Sequence, residues 1–501
     1  MKMFLYCASL SLGLLLAACD PKPVTPPDSP STDNPDTAAV VRRVATFITT
    51  ADNTMRFTAV GRDFAEGLNM SPEQTLTLNP HLRYQTFDGF GAAITGATAY
   101  NLKQMPADRR EKLLRETFSV KDGMGYSYVR VPIGGSDFNA HSNYDYTCCD
   151  VEGIDHFALT SDELDYIIPM LREILTINPD LKVMGTPWSC PRWMKVDDIQ
   201  KKNPYNNWVG GYLNPDYYQD YATYFVRWIQ AFQDAGVPVT AITVQNEPLN
   251  WGNSMSLYMP WDQERDFIKN ALGPALRSAG LQTKIICFDH NYNYDNKQDQ
   301  KQYPLKIYAD TEAAKYIDGA AYHSYGGSPT ELDVIHKAAP EKNLYFTEQS
   351  IGTWNYQSFS QSLMSEMKNT CIATVSRWCK AVIVWNFLLD DQGGPHGGAG
   401  ACSTCYGAVD VSSKDYTTLN KRSHFYAIGH LSKAFKAGST RIGTSGYLPT
   451  NVSAVAAENP DGTYGLVLLN EGNEGVSFTI EDGTRHFLIT LPAQSITSCV
   501  W

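Results

Sequence analysis

Two glutamates stand out by where they fall. The apolar run 239–244 closes in Gln245, Asn246, Glu247 and Pro248, and the run 343–347 closes in Glu348 and Gln349. Breaking a glycosidic bond takes two carboxyl groups, one to protonate the leaving oxygen and one acting from the other face of the sugar. A separation of about 5–5.5 Å between them implies a covalent intermediate. Position alone does not settle the role, because a glutamate at a strand end more often caps a turn or holds a salt bridge. The neighbours add weight: Asn246 offers an amide to a sugar 2-hydroxyl, and Pro248 stiffens the turn that follows.

For residues so far apart in sequence to meet, something must bring strand ends together. Short runs rich in Val, Ile and Tyr alternate with helical patterns, which predicts strands near 85–94, 126–134, 182–188, 239–246, 283–290, 319–325, 343–349 and 380–389. Helices are expected over 105–118, 161–177, 215–235, 262–279, 359–375 and 420–437. Eight such units fit an α/β fold, a (β/α)8 TIM barrel over 85–437, whose reactive side chains sit at the C-terminal ends of the strands. A doubly wound open sheet is the alternative. Residues 41–84 and 438–501 read differently, as short alternating stretches divided by turns such as Asn459-Pro460-Asp461-Gly462. They predict an attached β-sandwich formed from both chain ends.

The remaining features bound the setting. Residues 4–18 are apolar but too short to span a bilayer, so 1–18 reads as an export signal, and Leu16-Ala17-Ala18-Cys19 matches a lipoprotein box that would make Cys19 a lipid anchor. An ordinary signal peptide is the plainer alternative. Residues 19–40, rich in Pro, Ser, Thr and Asp, read as a disordered tether. The expected place is therefore the bacterial cell envelope or surface, with the membrane touched only through that anchor. A formal charge of −12 excludes a nucleic-acid partner, which would need clustered Lys and Arg. Beyond Cys7 and Cys19, nine cysteines remain, an odd number whose pairing sequence cannot give. Cys402-Ser-Thr-Cys405 reads as a local disulfide or two free thiols, since no second pair of ligands accompanies it to make a zinc site.

A series of motifs runs through most of the chain in one order. They are Gln85-Thr-Phe-Asp-Gly-Phe-Gly-Ala92, Tyr128-Val-Arg-Val-Pro-Ile-Gly-Gly-Ser-Asp137, Thr186-Pro-Trp-Ser189 and Trp193-Met-Lys195. Gln245-Asn-Glu-Pro248, His323-Ser-Tyr325, Phe346-Thr-Glu348, Trp385-Asn386 and Leu491-Pro-Ala-Gln-Ser-Ile496 follow. On these the sequence resembles the glycoside hydrolases of family 30, a group that includes glucosylceramidases, β-1,6-glucanases and some xylanases. The resemblance implies Glu247 as general acid/base and Glu348 as nucleophile of a retaining mechanism, with no metal or organic cofactor. It also implies that Arg130, Asp137, Trp188, Asn246, Tyr325 and Trp385 line the glycosyl subsite, with His323 and Asn386 among the binding residues. Arg130 could equally be a barrel salt bridge, and either Trp core packing.

On this reading Glu247 begins protonated, its pKa raised by the charge of Glu348. The expected substrate is a β-glucan or β-glucoside. The Gly- and Cys-rich stretch 393–408 and Cys190-Pro191-Arg192 depart from the glucosylceramidase pattern, which favours β-1,6-glucan over glucosylceramide, with xylan behind. A glycan-binding surface lipoprotein that has lost catalysis, and a cellulase-like barrel using the same pair, are the rivals.

Overall fold

The computed structural model describes residues 43–64, 71–141, 150–253, 255–292, 297–397 and 401–501. The signal, Cys19, the tether, and Cys148 and Cys149 lie outside the described residues. Eight strands form one parallel sheet, in chain order Gly89–Ala92, Tyr128–Ile133, Lys182–Pro187, Ala241–Thr243, Lys284–Asn291, Ile317–His323, Asn343–Glu348 and Cys379–Val384. The last pairs with the first (Val382 with Phe90), and the first reaches the second where the Ile94 N–H donates to the Arg130 carbonyl at 2.9 Å. That closure makes a barrel and rules out the open sheet.

The strands are buried on both faces, which is why they read as unbroken apolar runs rather than alternating ones. Tyr128, Met184, Ala241, Ile286, Ala321, Tyr345, Ala381 and Ile383 pack together as one filled cluster contributed by seven different strands. The outer helices bury one stripe each. In Tyr218–Asp234 the buried residues include Tyr221, Phe225, Trp228 and Phe232, at helical spacing. Each such side chain contributes roughly 1.5–3 kcal/mol. This helix begins after Asn214, whose side chain caps the Asp216 N–H, and stops before Gly236, which supplies a positive φ. The helix expected over 105–118 is found as Ala107–Phe118, and a further helix, Gly96–Gln104, precedes it. Pro106 has no N–H to continue a helix and pushes Met105 into extended backbone.

The second sheet is antiparallel but for one pair and has nine strands. Val44–Thr50 lies between Thr58–Arg62 and Ser495–Val500, and the order continues through Tyr464–Asn470, Val452–Glu458, Thr440–Gly446, Thr75–Thr86, Val476–Glu481 and His486–Leu491. It curls until Phe64, just past one edge strand, meets Phe487 of the other at 6.1 Å between ring centroids. Both chain ends therefore build this β-domain. Thr86 still pairs with Thr440 within it, so the strand expected over 85–94 is split, with Gly89 (φ 146°) starting the barrel portion.

Barrel and β-domain share a core. Val455, Val467, Leu469 and Ile496 of the sandwich belong to the same buried cluster as the barrel helices. Helix Ser423–Ala434 is the joint, and its His430 reaches Ser498 Oγ (2.9 Å) and Thr49 Oγ1 (2.8 Å). Among the described residues no helix is long and apolar enough to cross a membrane.

Candidate active site

The C-terminal strand ends deliver their polar residues to one place. Glu348 is the last residue of its strand, and Glu247 follows its strand closely, both nearly buried. One oxygen of each carboxylate and a nitrogen of His323 lie within 4.8 Å of one another. Glu247 takes a left-handed backbone (φ 44°), a strain of about 1–3 kcal/mol held in place by hydrogen bonds on either side. Its N–H donates to the Asp289 carbonyl (3.0 Å), and the Asn246 N–H donates to Pro187 (2.8 Å).

Arg130 organises the centre. Fully buried, it donates to Glu348 Oε2 (2.6 Å), Asp289 Oδ2 (2.8 Å), Asn246 Oδ1 (2.7 Å) and Thr186 Oγ1 (3.1 Å). Its guanidinium lies 4.9 Å from the Trp188 ring and 5.4 Å from that of Trp385, and the two indoles stack at 4.9 Å. A buried cation survives only when neutralised in this way. Arg130 thus holds the charge and direction of Glu348 while also fixing the oxygen end of the Asn246 amide, so that its NH2 end is what remains for a ligand.

Tyr325 donates its hydroxyl to the other Glu348 oxygen at 3.0 Å, and burial of that hydroxyl beside Glu348 pushes the phenol well above its ordinary range. Glu247 is held differently. Its Oε2 accepts from Asn250 (2.7 Å) and Asn253 (2.8 Å), and its Oε1 lies 3.1 Å from His323 Nδ1. His323 Nε2 meets Asp289 Oδ1 at 3.0 Å.

The proton distribution differs from the sequence expectation. Burial alone would raise Glu247, but the nearby imidazoles of His290 and His323, with hydrogen bonds from His323 and Asn250, outweigh it and bring the carboxyl down to about 2. Burial likewise opposes a charge on His323, yet the surrounding Glu348, Asp289 and Glu247 carry it up to about 9. Glu348 is shifted upward, by burial and by Glu247, against His323 and Arg130. These shifts favour the proton on His323 rather than on Glu247, where the sequence reading placed it. The sequence could not show this, because the deciding groups come from other strands.

The cleft, about 270 Å³, is lined by Asp137, Trp188, Asn246, Glu247, Tyr325, Glu348 and Trp385 from the expected set. Asp137 is lifted well above the usual carboxylate range by burial and by Glu348, and its Oδ1 has no partner within the protein. Such an orphan is costly unless a ligand hydroxyl satisfies it. His323 acts through Glu247 and lies outside the lining. Asn386 is buried, takes a hydrogen bond from Thr95 (2.8 Å), and does not line the cleft.

Sequence reading missed Asp289, His290, Asn250, Asn253 and Trp354. Asp289 and His290 close an apolar run just as Glu247 does, so the same criterion could have found them. Phe288 and Asp289 both have positive φ at a break in strand register, a bulge no local pattern announces. Trp354 and the Cys402–Cys405 disulfide also line the cleft.

Glu247, His323 and Glu348 are close enough to touch one cation, but they do not make a metal centre. Both His323 nitrogens are committed to carboxylates, and Glu348 is held by a guanidinium and a phenol. The set suits proton transfer and attack by a carboxylate.

Comparison with known proteins agrees. Residues 87–435 match the glycosyl hydrolase family 30 TIM-barrel domain, and 438–499 its β-sandwich domain. An endo-1,6-β-D-glucanase of Neurospora crassa is 32% identical over 434 residues, 83% of this chain and 85% of the relative. The lysosomal acid glucosylceramidase of Mus musculus is 29% identical over 452 residues, 85% of this chain and 83% of that one. A solved endo-β1,6-glucanase superposes with a TM-score of 0.89 at 53% identity, covering 92% of this chain and 99% of its own. With both domains matched and the paired carboxylates at the barrel mouth, this chain belongs to glycosyl hydrolase family 30 and is an O-glycoside hydrolase.

Proposed function

We propose that the enzyme cleaves β-1,6-linked glucan by double displacement with retention, Glu348 attacking the anomeric carbon and Glu247 serving as acid and then base. One observation carries the mechanism: the two carboxylates approach within 4.8 Å. That is well short of the roughly 6.5–9.5 Å that leaves room for a directly attacking water. Identity of 53% with an endo-β1,6-glucanase, across nearly all of that protein, supports the linkage.

The acid step needs a proton on Glu247, and His323 stores it 3.1 Å away. A sugar filling the cleft removes water, which favours the neutral pair over the ion pair and shifts the proton to Glu247. Glu348, kept anionic by Arg130 and Tyr325, forms the glycosyl ester. Its charge is then gone, and Glu247 deprotonates the water that releases the product. Asp137, Asn246, Trp188 and Trp385 hold the glycosyl unit in place.

Product analysis on β-1,6-, β-1,3- and β-1,4-glucans, xylan and glucosylceramide tests the reading. β-1,6-glucan should be cut fastest, with the β-anomer appearing first by NMR. A first-formed α-anomer would sink the double displacement, and faster release from glucosylceramide would sink the substrate assignment.

We also propose export, with residues 1–18 as leader, Cys19 acylated and 19–40 as tether. Cys19→Ser should move the activity from the membrane fraction to the soluble one. Unchanged membrane association would remove the anchor from this picture.

A further inference from the structure

Beside the catalytic cleft lies a second and larger cavity, about 620 Å³ against about 270 Å³. It opens between the ends of strands Lys284–Asn291, Ile317–His323 and Asn343–Glu348 and the helix Phe359–Glu366 with its π continuation Met367–Ile372. The two cavities share a wall one residue thick. Glu348 and Ser350 line the cleft, and Gln349 between them lines the second cavity. Tyr325 and Trp354 face the cleft, and their neighbours Ser324 and Asn355 the other side. The wall is tied by the Ser324 hydroxyl donating to the Gln349 side chain and by Asn355 Nδ2 donating to the Ser350 carbonyl at 3.1 Å.

The lining selects a class of ligand. No lysine or arginine contributes, so an anion would find no counter-charge. The single acid, Glu366, is buried, takes a hydrogen bond from Ser423 (3.0 Å) and keeps its other oxygen without a partner in the protein. One carboxyl that burial holds well above the usual range is a poor cation site. What remains is a dense set of amides and hydroxyls, able to donate and accept at many points, with Ile351 and Pro329 as apolar surface. The volume falls inside the range of about 300–1,000 Å³ typical of small-molecule sites and far above the roughly 30 Å³ of one water.

We propose that this cavity is a second saccharide-binding site, taking one or two uncharged hexose units through Ser324, Gln349, Asn355, Gln361, Ser365 and Asn369. A sugar held there rests against the same two segments that carry Glu348, Tyr325 and Trp354, so it sits where products leaving the cleft can reach it. The choice of glucose probes rests on the proposed β-glucan activity, whereas the existence of the site does not.

The test is calorimetric titration of full-length protein carrying Glu348→Gln with the β-1,6-linked glucose disaccharide, and with glucose, alongside crystals soaked in each. Two binding events are expected. Adding Ser365→Trp, at an exposed helix position, should fill the cavity and leave one event. Adding Gln361→Ala should weaken the second event by about 3- to 10-fold, as for one lost hydrogen bond. In the otherwise native enzyme, Ser365→Trp should leave hydrolysis of an aryl β-glucoside unchanged. A single event that Ser365→Trp does not alter, with only water in the soaked cavity, overturns the proposal. Failure on β-1,6-glucan with both binding events intact would overturn the substrate assignment and uphold this site.

Discussion

The two glutamates are alike in sequence and unlike in surroundings, and that difference sets what each substitution should do. Glu348→Gln removes the nucleophile while the one amide oxygen of Gln can still accept from Arg130 and its NH2 can donate to the Tyr325 hydroxyl, so turnover should vanish with the thermal transition little changed. Near-normal activity would overturn the role. Glu247→Gln should slow β-1,6-glucan hydrolysis by about 10²–10⁴-fold, the usual worth of general acid catalysis. Aryl β-glucosides with acidic leaving groups should lose less, and an equal loss on both substrates would argue against an acid at this position. His323 yields a pH signature. Its folded pKa of about 9 lies above the ordinary 6.5, so the stability it contributes is full below pH 6.5 and is lost as pH rises through 9. The Tm gap between wild type and His323→Gln should therefore narrow across that window, and a constant gap would refute the assignment. At this scale the sequence displayed Glu247 and Glu348 clearly, because each closes a patterned run, whereas Arg130, within strand Tyr128–Ile133, was marked by the family resemblance. Asn250 and Asn253 lie in the loop after Glu247 with no pattern to mark them, and the proton on His323 depends on groups on or just past three other strands.

Elements were legible in proportion to the regularity of their pattern. The strands Val452–Glu458, Tyr464–Asn470, Val476–Glu481 and His486–Leu491 carry the alternation that marked 438–501 as β, the first two divided by the expected turn at 459–462. Val44–Thr50 and Thr440–Gly446 escaped, since neither keeps a clean period of two. In the former the buried residues Thr49 and Thr50 are polar, Thr49 finding its partner across the fold in His430 and Thr50 donating to nearby Asp52. The joint between domains has its own titration. His430, buried in helix Ser423–Ala434, is held down to about 3 by desolvation. An unfolded histidine takes its proton near 6.5, so this helix contributes stability above that pH that is lost as the pH falls towards 3. His430→Gln should be less stable than wild type at pH 7 yet lose less Tm between pH 7 and pH 4. Parallel acid curves for the two proteins would exclude His430 as a source of acid sensitivity.

The main core runs from barrel to sandwich, so the two domains should unfold together in one cooperative transition. Cutting the chain after residue 437 would strip the cover from Phe435, Leu431 and Ala434, which pack in the same cluster as Val467 and Ile496. The truncated barrel should aggregate on expression, and a soluble, monomeric, active product would show that the sandwich is dispensable. The arrangement was foreseeable from the two flanking β-patterned segments, though the curl that brings Phe64 to Phe487 was not, since it depends on twist accumulated over nine strands. The pairing of Val44–Thr50 with Ser495–Val500 also bears on synthesis. Val44–Thr50 has a hairpin partner in Thr58–Arg62 from the start, but its other neighbour lies far along the chain, with Thr46 beside Cys499 at a separation of 453 residues, a distance that slows closure of the sheet. For the export proposed above, such a delay keeps that seam open while the polypeptide passes a narrow translocation channel unfolded.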